Sequence, residues 1–333
     1  MPNKPAPPIP PSTAVAKPAG INRKYLRLQD LRRLTQFFFT GRKPIEGQYS
    51  GQHATPQIGQ SVEFRDYRQY IPGDEIGSID WKIYGRSDKL FIKIFEHQAD
   101  LTVNLLVDAS ASMAYRGVED ARRRSLLPWV SPPTDSQPSK FDYACSLAAA
   151  IGFLIVKQHD RVGFSLAQGG LSQFLAARSA LSHLSAILDA MEQARPRDEA
   201  RLPEAIRDLA GRIGRREVLI VFSDLLEDRD AILRSLSIVH HRGGEAILFH
   251  VLHSDELRLP QIENGLFIDS ETQGRVRLNV ADVRTAYETK LQDFLDSWQR
   301  QAKANGINYS LCPTSEPYDR VLERYLTRRA VRG

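Results

Sequence analysis

The sequence predicts an α/β protein, a doubly wound and mostly parallel sheet with a small β-rich unit ahead of it. Three observations carry this. From residue 101 onward, short apolar runs alternate with stretches of helical periodicity, the pattern that builds a parallel sheet with helices on both faces. The first of these runs, 101–107, ends in Asp108 and is followed by hydroxyls at Ser110 and Ser112. Residues 42–100 differ in texture, being rich in Gly, Gln and aromatics with short alternating segments.

Taken in order, residues 1–22 form a Pro/Ala-rich arm expected to be disordered. In the 23–41 segment, Leu28, Leu31, Leu34 and Phe38 recur at three and four and predict one amphipathic helix over 25–39, stopped by Gly41. The 42–100 unit contains Ser61-Val-Glu-Phe-Arg-Asp-Tyr and Leu90-Phe-Ile-Lys-Ile-Phe as strand candidates, with the turn Ile71-Pro-Gly-Asp74 between them. The main domain, 101–333, begins with strand 101–107. A long loop, 114–139, is inserted directly after the Asp-Ser-Ser run and carries Pro128, Pro132, Pro133 and Pro138. Helix 141–158 and strand 161–167 follow, with a short edge strand at 173–176 after Gly169-Gly170. Helices are expected at 177–195 and 202–213, then the buried strand 218–222 leading into Ser223-Asp224. Helix 228–241, strand 246–252, a weaker strand at 265–269, helix 281–304, strand 307–311 and a C-terminal helix complete the pattern.

Composition bounds the function. At 42% apolar and 26% charged, the chain reads as a soluble globular protein, and no run of 18 apolar residues spans a bilayer. The only two cysteines, Cys145 and Cys312, lie in apolar segments and read as buried free thiols of a reducing compartment, which points to the cytoplasm. Of the net charge of +5, residues 1–33 hold seven basic side chains against one acidic, and 320–333 hold five against one. The body between them is therefore acidic, unlike a nucleic-acid-binding fold. The basic ends are candidates for peripheral contact with anionic lipid, or solvated tails.

Asp-x-Ser-x-Ser at the carboxyl end of a buried strand sets one carboxylate and two hydroxyls on a single tight loop, where open α/β sheets gather ligands. These are hard oxygen donors suited to magnesium or another divalent cation. The motif resembles the first half of the metal-ion-dependent adhesion site of von Willebrand factor A domains. Asp108, Ser110, Ser112 and Asp224 are then the expected metal ligands.

Further motifs extend the resemblance. Gly59, Glu63-Phe64, Arg68-Gln-Tyr-Ile-Pro-Gly-Asp74, Ile79-Asp80-Trp81-Lys82, Lys140-Phe-Asp-Tyr-Ala144, Asp160-Arg-Val-Gly163 and Phe222-Ser-Asp224 occur in order around Asp108-Ala-Ser-Ala-Ser-Met113. Together they resemble the bacterial domain-of-unknown-function family fifty-eight, whose members pair a small β unit with an A-like domain and are often encoded beside MoxR-type AAA+ ATPases. The resemblance implies a non-enzymatic adaptor or scaffold working with such an ATPase on a client protein. Asp108, Arg68 and Asp74 are the candidate partner-binding residues. Many relatives begin with two membrane-spanning helices, and this sequence shows neither. It also departs from the A-domain pattern in its second loop, Arg197-Asp-Glu-Ala-Arg-Leu-Pro203. There Ala200 stands where a threonine ligand is expected, which leaves weak magnesium binding, binding through water or Glu199, or no metal binding as the alternatives.

Other chemistries are weaker. Asp108 as the nucleophile of a metal-dependent phosphatase or hydrolase lacks the second acid two residues on, where Ser110 stands. No Gly-x-Ser-x-Gly elbow and no phosphate-binding Gly-x-x-x-x-Gly-Lys-Ser/Thr loop occurs. His240, His241, His250 and His253 resemble zinc spacing only superficially and read as a helix end plus residues flanking a strand. Trp81 and Asp80 read as a core anchor and a turn residue.

Overall fold

Strands that must be buried on both faces carry apolar residues at nearly every position, and a computed structural model of the chain sets the expected runs side by side. The structure describes residues 23–27, 33–34, 36–39, 62–70, 83–85, 89–97, 101–118, 138–268 and 274–332. Ahead of the main sheet, β1 (Val62–Gln69) and β2 (Phe91–His97) pair antiparallel, with a register shift between Phe64 and Asp66. The main domain then runs β3 (Thr102–Asp108), α1 (Lys140–Lys157), β4 (Arg161–Ala167), β5 (Leu171–Arg178), α2 (Leu181–Gln193), α3 (Leu202–Arg212) and β6 (Val218–Ser223). It continues through α4 (Arg229–His241), β7 (Glu245–Leu252), the one-turn α5 (Ser254–Leu257), β8 (Asn264–Ile268), β9 (Arg275–Asn279), α6 (Val280–Ala304), β10 (Asn308–Pro313) and α7 (Tyr318–Arg332).

Six strands form one sheet in the order β10-β7-β6-β3-β4-β5. All neighbours are parallel except β5, which turns back antiparallel on β4 at the edge. This is the mostly parallel, doubly wound arrangement expected of a von Willebrand factor A type fold. Alternation divides the core between the two faces. Val103, Leu105 and Val107 of β3, Ile220 and Phe222 of β6, and Phe249 of β7 join the core beneath α1, α2 and α7. Leu106, Leu219, Val221 and Leu248 face α3, α4 and Trp298 of α6. Both cysteines are free and buried.

Gly163 shows why one motif needs its residue. A Cβ there would stand 2.7 Å from Oδ1 of the buried Asn104 on β3, and 3.2 Å from backbone atoms of β5. Asp160 ties the same corner by accepting the Leu101 N–H at 2.9 Å.

The structure revises several boundaries. The edge strand runs from Leu171 to Arg178, so α2 starts at Leu181 rather than 177. The weak strand near 265–269 is one arm of a hairpin, β8 with β9, whose second arm is all exposed and carries no buried periodicity to read. The expected helix over 25–39 does not extend to either end of that range. Residues 23–26 make a tight bridge and turn, 37–39 are non-helical, and among the described residues only 33–34 are helical. The cause is tertiary. Tyr25, Leu26, Leu34 and Phe39 are all buried in the core of the main domain. Most of the 114–139 insertion and the turn bearing Asp74 lie outside the described residues.

Asp142 of α1 anchors this N-terminal segment. Its carboxylate accepts from Lys24 Nζ at 2.8 Å, the Tyr25 hydroxyl at 2.9 Å, Arg116 Nη2 at 2.5 Å and Ser139 Oγ at 2.8 Å. Burial alone would raise its pKa, but Lys24 and Arg116 hold it below the usual carboxylate range. Replacing Asp142 by Ala should release the segment. Limited trypsinolysis read by mass spectrometry should then show cleavage at Arg23 and Lys24 accelerated about tenfold or more, because local opening sets the rate. Unchanged cleavage would mean that apolar burial of Tyr25 and Leu26 suffices.

Candidate functional site

β3 and β6 are parallel neighbours with Val107 opposite Phe222, so the two strands end side by side at Asp108 and Ser223. Asp108 ends β3, and the chain turns at once into a one-turn 3₁₀ helix, Ala111–Ala114. The Asp108 carboxylate closes this loop: Oδ1 accepts the Ser110 N–H at 2.8 Å and Oδ2 accepts the Ser223 hydroxyl at 2.6 Å. Ser223 Oγ in turn accepts the Leu225 N–H at 2.9 Å. Leu225 has a positive φ of 53°, uncommon for a branched residue, at the point where the chain leaves β6. The Ser110 and Ser112 hydroxyls lie 3.0 Å apart. Asp108, Ser110, Ser112 and Asp224 are therefore brought to one place, and all four are buried.

The second loop also arrives there, but through its backbone. Ala111 N–H donates to the Asp198 carbonyl at 2.8 Å and Arg197 N–H to the Ala109 carbonyl at 3.0 Å. The Glu199 and Ala200 carbonyls accept from Gly169 and Gly170 at 2.7 and 2.9 Å. Ala200 is buried, and a methyl has no lone pair to give. The Glu199 carboxylate does not replace the threonine, for it is 62% exposed and faces Arg201 at 4.0 Å.

Asp224 has a partner that spacing alone did not suggest. Lys140, the first residue of α1, places Nζ 2.8 Å from Asp224 Oδ2 and 2.6 Å from Glu256 Oε1. Its side chain is 1% exposed. Glu256 also accepts the His253 N–H at 2.7 Å, while His253 Nδ1 accepts the Asp255 N–H at 3.1 Å, a reciprocal cap on α5. His250, fully buried, places Nε2 2.8 Å from the Asp224 carbonyl and Nδ1 2.7 Å from the Tyr309 hydroxyl.

The electrostatics follow from burial. Desolvation, and then the nearby Asp224 charge, push Asp108 up to about 7. Burial pulls Lys140 down, but Asp224 and Glu256 together outweigh it and hold the ammonium above its ordinary value. Burial lowers His250 to about 4, so its imidazole is neutral near pH 7.

The donor set does not suit a divalent ion while the Lys140 ammonium sits on Asp224. Both Asp108 oxygens already accept hydrogen bonds, Asp224 carries an ammonium, and the threonine position is a methyl. Among the described residues, no group of three or more His, Cys, Asp or Glu could hold a metal. The four histidines are not gathered either: His240 and His241 end α4, as a helix C-terminus favours, and the other two are buried in separate contacts. Arg68 lies in β1 opposite Ile92, and Asp74 is outside the described residues. Lys140 and Glu256 are the residues that sequence reasoning missed. Lys140 stands in one of the motifs, yet only folding brings it across 84 positions to Asp224.

Comparison with known proteins places the chain. The model of the family described as protein of unknown function DUF58 matches residues 66–130 and 131–294. Uncharacterized protein Rv1480 of Mycobacterium tuberculosis is 26% identical over 238 residues, covering 70% of this chain and 68% of that protein. Mb1516 of Mycobacterium bovis, also uncharacterized, matches equally. Among solved structures, an aerotolerance-related membrane protein from Bacteroides fragilis aligns at 17% identity and TM-score 0.42, over 68% of this chain and 99% of that one. The conserved hypothetical protein BatB from Bacteroides thetaiotaomicron aligns at 17% and 0.40, over 69% and 98%. The SpRpn10 VWA domain aligns at 12% and 0.34, over 67% and 94%. Among the described residues, no helix is long and apolar enough to cross a membrane.

Proposed function

For this chain, which belongs to the DUF58 family of proteins of unknown function, we propose a non-enzymatic adaptor that binds other proteins through the loops after β3 and β6. One observation carries the reading. The Asp108, Ser223–Leu225 and 195–201 loops are tied into a single surface at the carboxyl ends of the central strands, where open α/β sheets bind. Around the buried tie-points stand exposed charges, Arg197, Asp198, Glu199 and Arg201, each more than 60% exposed. A rigid base under a charged rim suits recognition of a protein surface, with the rim setting partner choice. The proposed partner is a MoxR-type AAA+ ATPase, as the family resemblance implies, with the chain coupling it to a client in the cytoplasm.

The test is affinity capture from the native host with the full chain as bait, followed by direct titration of the recovered ATPase. Two variants are compared with wild type. Asp108→Ala removes the loop's central acceptor, and Arg197→Glu with Arg201→Glu reverses rim charges without touching the core. The expected result is recovery of a MoxR-type ATPase by wild type, with affinity at least about tenfold weaker in both variants. Recovery of the ATPase equally by all three would place the contact elsewhere, and no ATPase with wild type would remove the partner assignment. A hydrolase built on Asp108 would require a reachable carboxylate, and this one is 3% exposed with both oxygens engaged. Turnover of a generic phosphate ester that disappears in Asp108→Asn would nonetheless establish it.

A further inference from the structure

A lysine is an unfavourable first residue for a buried helix start. The helix N-terminus is the positive end of the backbone dipole, and burial strips the ammonium of water. Lys140 occupies that position in α1 with its side chain 1% exposed. Only a strong local demand for positive charge accounts for it, and the demand is visible. Asp224 and Glu256 meet at its Nζ, at 2.8 and 2.6 Å, and Asp108 stands near enough for its charge and that of Asp224 to disfavour one another.

From this geometry we infer that the Lys140 ammonium, held on Asp224, is the resident cation of the loop site and takes the place of the divalent ion of von Willebrand factor A domains. Three features agree. Asp224, the aspartate expected to face a metal, spends Oδ2 on Lys140. The second loop contributes a methyl at the expected ligand position and meets the Asp-Ser-Ser loop through backbone groups. The Asp108 carboxylate is satisfied from within the fold by Ser110 N–H and Ser223 Oγ–H, so it needs no ion to hold the loop's shape. A divalent ion on Asp224 would have to share a single carboxylate with a fixed, buried ammonium, and the two cations repel. The inference concerns the ion and not the partner, so it stands or falls separately from the adaptor reading.

Two measurements on the full chain test it. Titration of Mn²⁺ into the wild type, followed by calorimetry and by the electron paramagnetic resonance of free Mn²⁺, should show no stoichiometric site at millimolar ion. In parallel, the Lys140 ¹⁵Nζ resonance, protected by burial, should not move when Mg²⁺ is added. Lys140→Met should create one Mn²⁺ site, at least about tenfold tighter than any wild-type binding, and adding Asp108→Asn should abolish it. One Mn²⁺ bound by wild type and lost in Asp108→Asn would overturn the inference, as would a Mg²⁺-dependent shift of the Lys140 resonance. A folded Lys140→Met that gains no Mn²⁺ site would also overturn it, because the lysine would then not be what excludes the ion. If that variant does not fold, the two wild-type measurements decide.

Discussion

Lys140→Met should destabilise the fold by about 3–5 kcal/mol in chelator-treated buffer, the usual cost of removing one partner from a buried ion pair. The cost arises less from the lost attraction than from what is left behind. Asp224 is 2% exposed, and without the ammonium its Oδ2 faces the interior uncompensated. The Glu256 carboxylate is less affected, since Oε2 keeps its bond from the His253 N–H and the group is 26% exposed. Urea unfolding of wild type, Lys140→Met, Asp224→Asn and the double variant forms a cycle that isolates the pair. The double variant should be more stable than Lys140→Met alone, because the orphaned charge is gone. Equal stability of those two would show that Lys140 serves Glu256 or packing instead.

Asp108→Asn should change how stability depends on pH, and here two buried groups work against each other. Burial holds His250 at about 4, below its ordinary 6.5. Its contribution is present above pH 6.5 and is lost as pH falls through about 4, because the unfolded chain takes up the proton first. Asp108 is raised from 3.8 to about 7. Its contribution is present below pH 3.8 and is lost as pH rises through about 7, because the native state gives up that proton last. Across pH 4–6.5 the two slopes oppose each other, each at most about 1.4 kcal/mol per pH unit. Wild-type stability should therefore rise less steeply with pH there than it would without the Asp108 charge. Asn cannot ionise but can still accept the Ser110 N–H, so the variant should lose the Asp108 slope and keep the opposing histidine slope. Denaturant midpoints should place the variant's gain over wild type on the order of 2–4 kcal/mol higher at pH 8 than at pH 4. A difference between the two proteins that does not vary with pH would show that Asp108 is not the titrating group.

The sheet strands and most of the main domain's helices were legible in the chain, because the signals that specify them are local. Strands 101–107, 218–222 and 246–252 are buried on both faces, so each is apolar almost throughout whatever packs against it. Asp108 and Asp224 were legible for the same reason: each directly follows such a strand, and in parallel strands those ends must meet. The segment 25–39 shows the limit of this reasoning. Its helical spacing is real in the sequence, yet Tyr25 and Leu26 are buried in a bridge and turn beside α1, where Asp142 bonds the Tyr25 hydroxyl. Packing outweighed a helix propensity of a few tenths of a kcal/mol per residue.

What the sequence determined by itself, then, is the α/β architecture, its family, and the place where its loops converge, since all of these follow from periodicity and from motifs read along the chain. What only the tertiary structure decided is the charge balance at that place. Lys140, Asp224 and Glu256 come from three separate elements, and whether a carboxylate faces an ion, an ammonium or water depends on distances of about 3 Å that spacing along a chain does not encode.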